Sequence, residues 1–253
     1  GSTSLRDWER SYALAQMFKG VLWQTETGGG STWAEAFELG QRIHQALRYG
    51  KISAWMHWCL SSRENTEPNQ HHLVNNFGGT STVLNQGRVT AAFARAFRPG
   101  AVQVASTSSD STVQAVAFVH PTGRTLNVVL LNAGSSPQTA AVSGVGMPQS
   151  FQCSVVSSTE THAAKGSVQA NAVSLPPLSI TTLLASDHAG LCGLSAVPDI
   201  NLAHPRSVST RAFGLDGRRL TRRDMRQSPV AIVAVTDRGR GGVATLTVEG
   251  LRR

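Results

Sequence analysis

The chain has 253 residues, with 23 lysines and arginines against 15 acids and three cysteines, and its sequence pI is near 10.4. No apolar run approaches the roughly 20 residues of a membrane span, and Gly28-Gly29-Gly30 lacks the Lys that would make it a phosphate-cradling loop. The basic excess is uneven: residues 204–253 hold eleven arginines and four acids, which leaves a balance of only +1 for everything before them.

In chain order, a helical pattern is followed by a short apolar run, residues 20–25, which reads as a strand. It ends on the carboxylate of Glu26, and the three glycines beyond force a loop. Thr32 and Glu35, three apart, form a capping-box pair that starts a helix. Trp33, Phe37, Gly40, Ile43 and Leu47 give that helix one apolar stripe, and Gly50 is the expected left-handed stop. Residues 52–60 are apolar nearly throughout, as in a strand covered on both faces, with Trp55 and Trp58 on opposite sides. A polar loop over 61–87 leads into a helix over 88–97, closed by Arg98-Pro99-Gly100. A carboxylate at the C-terminal lip of a strand between two helices is where barrel enzymes keep their chemistry.

From residue 101 the pattern changes to short strands, expected over 101–107, 113–119, 126–132, 150–156 and 168–175, broken by Gly, Ser, Pro and Asn clusters. This spacing implies an antiparallel sandwich. Residues 187–206 read as a linker. Beyond them, 208–215, 229–236 and 242–248 read as three more strands around an Asp216-Gly217 turn. The arginines of this tail give salt-dependent attraction to polyanions such as acidic polysaccharide or cell envelope. Without aromatic interleaving or a recognition helix, they do not read as a nucleic-acid site.

Four landmarks carry a resemblance: Trp23-Gln24-Thr25-Glu26; Ala54-Trp55-Met56-His57-Trp58; Phe93-Ala94-Arg95-Ala96-Phe97-Arg98-Pro99-Gly100; and the run Leu175-Pro176-Pro177-Leu178-Ser179-Ile180-Thr181-Thr182-Leu183. Their order and spacing resemble glycoside hydrolase family 30. The resemblance implies that the first two landmarks are strands seven and eight of a (β/α)8 barrel. The third is then the last barrel helix, and the fourth the closing strand of a β-sandwich packed beside it. It carries the role of nucleophile onto Glu26, with Trp58, Trp23 and Gln24 as substrate contacts. The tail, from Phe213 to Leu220, resembles the C-terminal sorting domains of some bacterial polysaccharide-degrading enzymes.

The expected fold is therefore α/β plus all-β: the C-terminal part of a barrel over 1–100, a β-sandwich over 101–186, the linker, and a basic β-rich domain over 207–253. The resemblance implies a secreted or cell-surface retaining glycosidase acting on a β-linked polysaccharide. The arginines that read glucuronate in xylan-cutting members are replaced by Ser61-Ser62, with Arg63 displaced, which leaves xylan, β-1,6-galactan and β-1,6-glucan open. A retaining glycosidase needs a second carboxyl group, which would sit on a strand four that this chain lacks. Glu9, Glu35 and Glu38 fall on outer helices, so the chain alone is expected to be inactive. The reading from another class is a non-catalytic surface-attachment or carbohydrate-binding protein.

No cofactor and no metal are expected. His71-His72 has no further ligand at matching spacing and reads as a polar loop pair. Cys59 reads as a buried hydrophobe, and Cys153 with Cys192 as a candidate disulfide that the sequence does not establish.

Overall fold

In the computed structural model, residues 5–62, 71–76, 80–120, 124–144 and 146–185 are described, together with strand segments at 212–213, 219–220, 231–237 and 243–250. Helix α1, Leu5–Met17, is followed by the two-residue strand β1, Trp23–Gln24. Helix α2, Trp33–Arg48, starts at the expected capping box: Thr32 Oγ1 accepts from the Glu35 amide at 3.3 Å, and the Glu35 carboxylate accepts from the Thr32 amide at 3.1 Å. Gly50 does not end the helix. Tyr49 caps it in the right-handed region and Lys51 takes the positive φ of 49°. Gly50 serves close approach instead, because a Cβ there would meet the indole of buried Trp8 at 2.6 Å.

Strand β2, Ala54–Trp55, pairs in parallel with β1, and both are shorter than the apolar runs that encode them. Short strands β3 (Ser61–Ser62), β4 (Val74–Asn75) and β5 (Thr82–Val83) form a small sheet ahead of helix α3, Asn85–Ala96, which begins three residues earlier than expected.

Eight strands then build the sandwich: β6 (Val102–Ser108), β7 (Val113–His120), β8 (Thr125–Asn132), β9 (Gln138–Val142), β10 (Ser150–Val156), β11 (Ala163–Gln169), β12 (Val173–Leu175) and β13 (Ser179–Ala185). The run expected as one strand over 168–175 is two. Gln169 pairs with Ser150 of β10, whereas Val173 pairs with Ala140 of β9, so the chain changes partner between them. The C-terminal segments are β14 (Ala212–Phe213), β15 (Arg219–Leu220), β16 (Ala231–Asp237) and β17 (Val243–Gly250). The antiparallel pair β14–β15 brackets the expected Asp216-Gly217 turn. The hairpin β16–β17 joins the sandwich sheet, pairing in parallel with β6 and with β9 to give the order β11-β10-β13-β8-β7-β6-β16-β17-β9-β12.

Two cores flank this sheet. One lies inside the sandwich, where Val113, Ala115, Ala117, Leu126, Val128 and Leu130 meet Phe151, Val173 and Leu175. The other lies on its outer face, where Val116, Phe118, Val129, Leu131 and Ile180 meet Phe37, Ile43 and Leu47 of α2 and Val89 and Phe93 of α3. Strands apolar on both faces lose the alternation of a half-exposed sheet, which is why 126–131 reads as a nearly continuous apolar run. Polar side chains pin the helices to the sheet as well. Thr182 Oγ1 donates to the Ala92 carbonyl at 3.1 Å, Asn127 Nδ2 to that of Ala96 at 3.2 Å, and Trp33 Nε1 to that of Leu178 at 2.9 Å.

Cys153 is a buried free thiol whose pKa is pushed up to about 11 by burial, and Cys192 lies outside the described residues. No described helix is long and apolar enough to cross a membrane.

Candidate active site

The backbones of β1 and β2 stay paired beyond their formal ends. Ser53 donates to Leu22 at 2.8 Å, Met56 to Gln24 at 2.8 Å, and Trp58 to Thr27 at 2.7 Å. This ladder brings Glu26 and Trp58 to the same lip. Side chains alternate across it: Leu22 and Trp55 pack on the helical core, whereas Val21, Trp23, Met56, Trp58 and Leu60 point to the opposite, exposed face. Trp55 packs on the helical core and Trp58 is exposed, yet both also reach one cleft at the lip, so the expected separation to opposite sides is incomplete.

At the lip is a cleft of about 380 Å³, lined by Gln24, Glu26, Thr27, Gly28, Arg42, Trp55, Trp58 and His71, with Trp8 at its back. Three of the four residues singled out from the sequence, Glu26, Trp58 and Gln24, thus come together. Trp23 does not line this cleft and is 57% exposed on the open sheet face. Trp55 has two surroundings, packing on the helical core and also facing the cleft. Among the described residues Glu26 is the one carboxylate in the lining, and Glu9, Glu35 and Glu38 sit on α1 and α2.

The loop that follows Glu26 is held by side chains. Gln24 Nε2 donates to the Glu26 carbonyl, Arg42 Nη2 to that of Gly28 at 3.4 Å, and His71 Nδ1 to that of Gly29 at 3.3 Å. His57 Nε2 donates to the His71 carbonyl at 2.7 Å, fixing His71 in turn. Burial holds the His57 pKa below its ordinary value; the bond to the His71 carbonyl opposes this and the nearby charge of Arg42 adds to it. Gly30 completes the loop, because a Cβ there would overlap the Glu35 carboxylate of the capping box.

Sequence reasoning missed Arg42 and His71. Arg42 is a polar position on an otherwise ordinary amphipathic helix, and nothing local marks it. His71 stands in a histidine pair that reads as solvated loop, but His72 is buried and its carbonyl accepts from buried Gln86 at 2.7 Å. His71 beside it lines the cleft. Among the described residues no group of three or more His, Cys, Asp or Glu is placed to hold a metal ion.

Comparison with known proteins places this geometry in context. Residues 100–183 match the glycosyl hydrolase family 30 beta sandwich domain. No curated protein matches the chain. Among solved structures, the chain resembles a conserved exported protein from Bacteroides fragilis (TM-score 0.61, 14% identity, covering 72% of this chain and 42% of that one). It also resembles a family 30 endoxylanase from Clostridium papyrosolvens (TM-score 0.58, 20% identity, 74% and 47%) and a family 30 subfamily 8 xylanase from Clostridium acetobutylicum (TM-score 0.58, 23% identity, 69% and 45%). The chain spans less than half the length of each. The segment over 100–183 thus matches a family 30 domain, and the fold of the chain resembles that of these structures.

Proposed function

We propose that the chain is the C-terminal part of a retaining glycoside hydrolase, with Glu26 as the nucleophile and β1 and β2 as the last two strands of its (β/α)8 barrel. The observation that carries this reading is the meeting of Glu26 and Trp58 on one lip of two parallel strands, next to a sandwich matching the family 30 domain. A retaining mechanism needs two carboxyl groups about 5–5.5 Å apart: one attacks the anomeric carbon, and the other protonates the leaving oxygen and then activates water. Glu26 supplies the first, and the second comes from residues outside this chain. Trp58 offers an indole face to the C–H face of a sugar ring, and Trp23 lies on the same open sheet face. Gln24, Arg42 and His71 hold the backbone around Glu26, so the carboxylate is positioned before substrate arrives.

The substrate is a β-linked polysaccharide, of which xylan, β-1,6-galactan and β-1,6-glucan are the candidates, and the enzyme acts outside the cell or at its surface. The Arg-rich tail adds adhesion to anionic surfaces and resembles a sorting domain. The test uses the complete enzyme. Glu26→Gln keeps the side chain's shape and removes its charge and nucleophilicity, so turnover should fall at least about a thousandfold, on the order of 4 kcal/mol of barrier. A fluorinated glycoside that traps the covalent intermediate should label the peptide containing Glu26. A variant that keeps a tenth of wild-type turnover, or a label on another peptide, refutes the assignment. Hydrolysis by residues 1–253 alone refutes the partial-barrel reading.

A further inference from the structure

Helix α3 and the turn after it carry Arg88, Arg95 and Arg98, with no acid anywhere between Asn85 and Gly100. Arg88 and Arg95 stand seven apart, two turns, and so share a face. Arg95 and Arg98 open onto a groove of about 860 Å³ against the sandwich, where His120, Thr125, Asn127 and Gln152 also line it.

The groove is built rather than incidental. Asn127 is only 5% exposed, and its amide is fixed by the Ala96 carbonyl. His120 Nε2 donates to the Pro99 carbonyl at 3.0 Å, and one Arg95 guanidinium nitrogen donates to Ser154 Oγ at 3.4 Å. Among the described residues no carboxylate pairs with these arginines, and Glu160 of the β10–β11 connection is paired with Lys165. The positive field reaches His162 on the same connection: burial first, and Arg95 next, hold its pKa below the ordinary value.

The lining selects a class of ligand. Arginine forks recognise planar carboxylates in bidentate fashion, and amide and hydroxyl groups beside them suit a hydroxylated scaffold. Among the described residues no Phe, Tyr or Trp lines the groove, so these residues do not build the broad stacking platform of single-stranded nucleic-acid sites. We propose that this groove is an accessory site for uronate-bearing carbohydrate, with the carboxylate on Arg95 and Arg98 and the sugar hydroxyls on Thr125, Asn127 and Gln152. It is separate from the Glu26 cleft. The N-terminal end of α3 is tied to the cleft side by Gln86 to His72 and Asn85 to Ser31, whereas the groove lies at its C-terminal end, about 18 Å away for twelve residues. The ligand class follows from the groove alone and stands whether or not Glu26 is a nucleophile.

The test titrates the full chain with trigalacturonate and with neutral xylotriose, following backbone and side-chain amides by NMR. Trigalacturonate should shift the Asn127 and Gln152 amides, and raising the salt from low to physiological concentration should weaken it. Arg95→Ala/Arg98→Ala should weaken binding at least about tenfold, since it removes both charge-assisted contacts. Arg10→Ala, on α1 and away from the groove, should leave the affinity unchanged. Arg98→Glu alone, at an exposed position, repeats the test should the double variant fold poorly. Shifts confined to the tail, equal binding of xylotriose, or undiminished affinity in the folded groove variants would overturn the proposal.

Discussion

His44 gives the sharpest physical test of the helix–sandwich junction. It is 5% exposed on α2, its Nε2–H donates to the Ala115 carbonyl at 3.1 Å, and Nδ1 has no hydrogen-bond partner. Burial lowers its pKa from 6.5 to about 4; the bond to Ala115 opposes this, and the charges of Arg48 and Lys51 add to it. The unfolded chain therefore binds a proton between pH 6.5 and 4 that the folded chain refuses. The stability associated with neutral His44 is fully present above 6.5 and is lost as pH falls toward 4. The gap corresponds to roughly 3 kcal/mol in full, of which about 2 kcal/mol is lost by pH 5. His57 and His162 shift in the same direction, so the comparison must isolate His44. His44→Gln retains an N–H donor toward Ala115 and does not titrate. Urea unfolding followed from pH 7.5 to 5 should show wild type losing about 2 kcal/mol more than the variant. Parallel profiles, or a His44 ring resonance titrating near 6.5, would refute the reasoning.

Trp55→Ala should cost about 3 kcal/mol in unfolding experiments, because the indole packs on the helical core. Trp58→Ala, from a site 63% exposed, should leave stability nearly unchanged while cutting turnover of the complete enzyme, and the reverse pattern would mean the ladder is misregistered. Gly87→Ala ought to stabilise an exposed helix by about 1 kcal/mol, but here the added Cβ would meet the Leu73 carbonyl at 2.4 Å. A net loss of about 1–3 kcal/mol is expected in the same assay. Arg42→Ala releases the Gly28 carbonyl and should lower kcat in the complete enzyme, since it holds the loop after Glu26; a change in KM alone would contradict that role.

How much was legible depended on how local each signal was. The capping box of Thr32 and Glu35 is complete within four residues, and it was read correctly. The pairing of 22–27 with 53–58 was implied by two apolar runs flanking an amphipathic helix, though the runs overstated the strand lengths. The break between β11 and β12 could not be read, because the chain there leaves one partner strand for another and composition does not record that exchange. Strand β9, Gln138–Val142, was missed because its Ala-rich sequence has little β signal of its own. Arg42 and His71 reach the cleft through contacts 14 and 42 residues away in sequence, which no local pattern encodes.

The sheet that separates the two cores is also what joins them. Its middle strands contribute one face to the sandwich interior and the other to the helices, so residue 100 is a border in the sequence but not in mechanics. Loosening Val129 or Ile180 on one face disturbs the register of Val128 or Leu183 on the other, and neither half has a smooth surface on which to slide. The lip bearing Glu26 is thus mounted on a plate shared with the sandwich, so motion at the cleft is expected from the loops around it rather than from a hinge between the two halves.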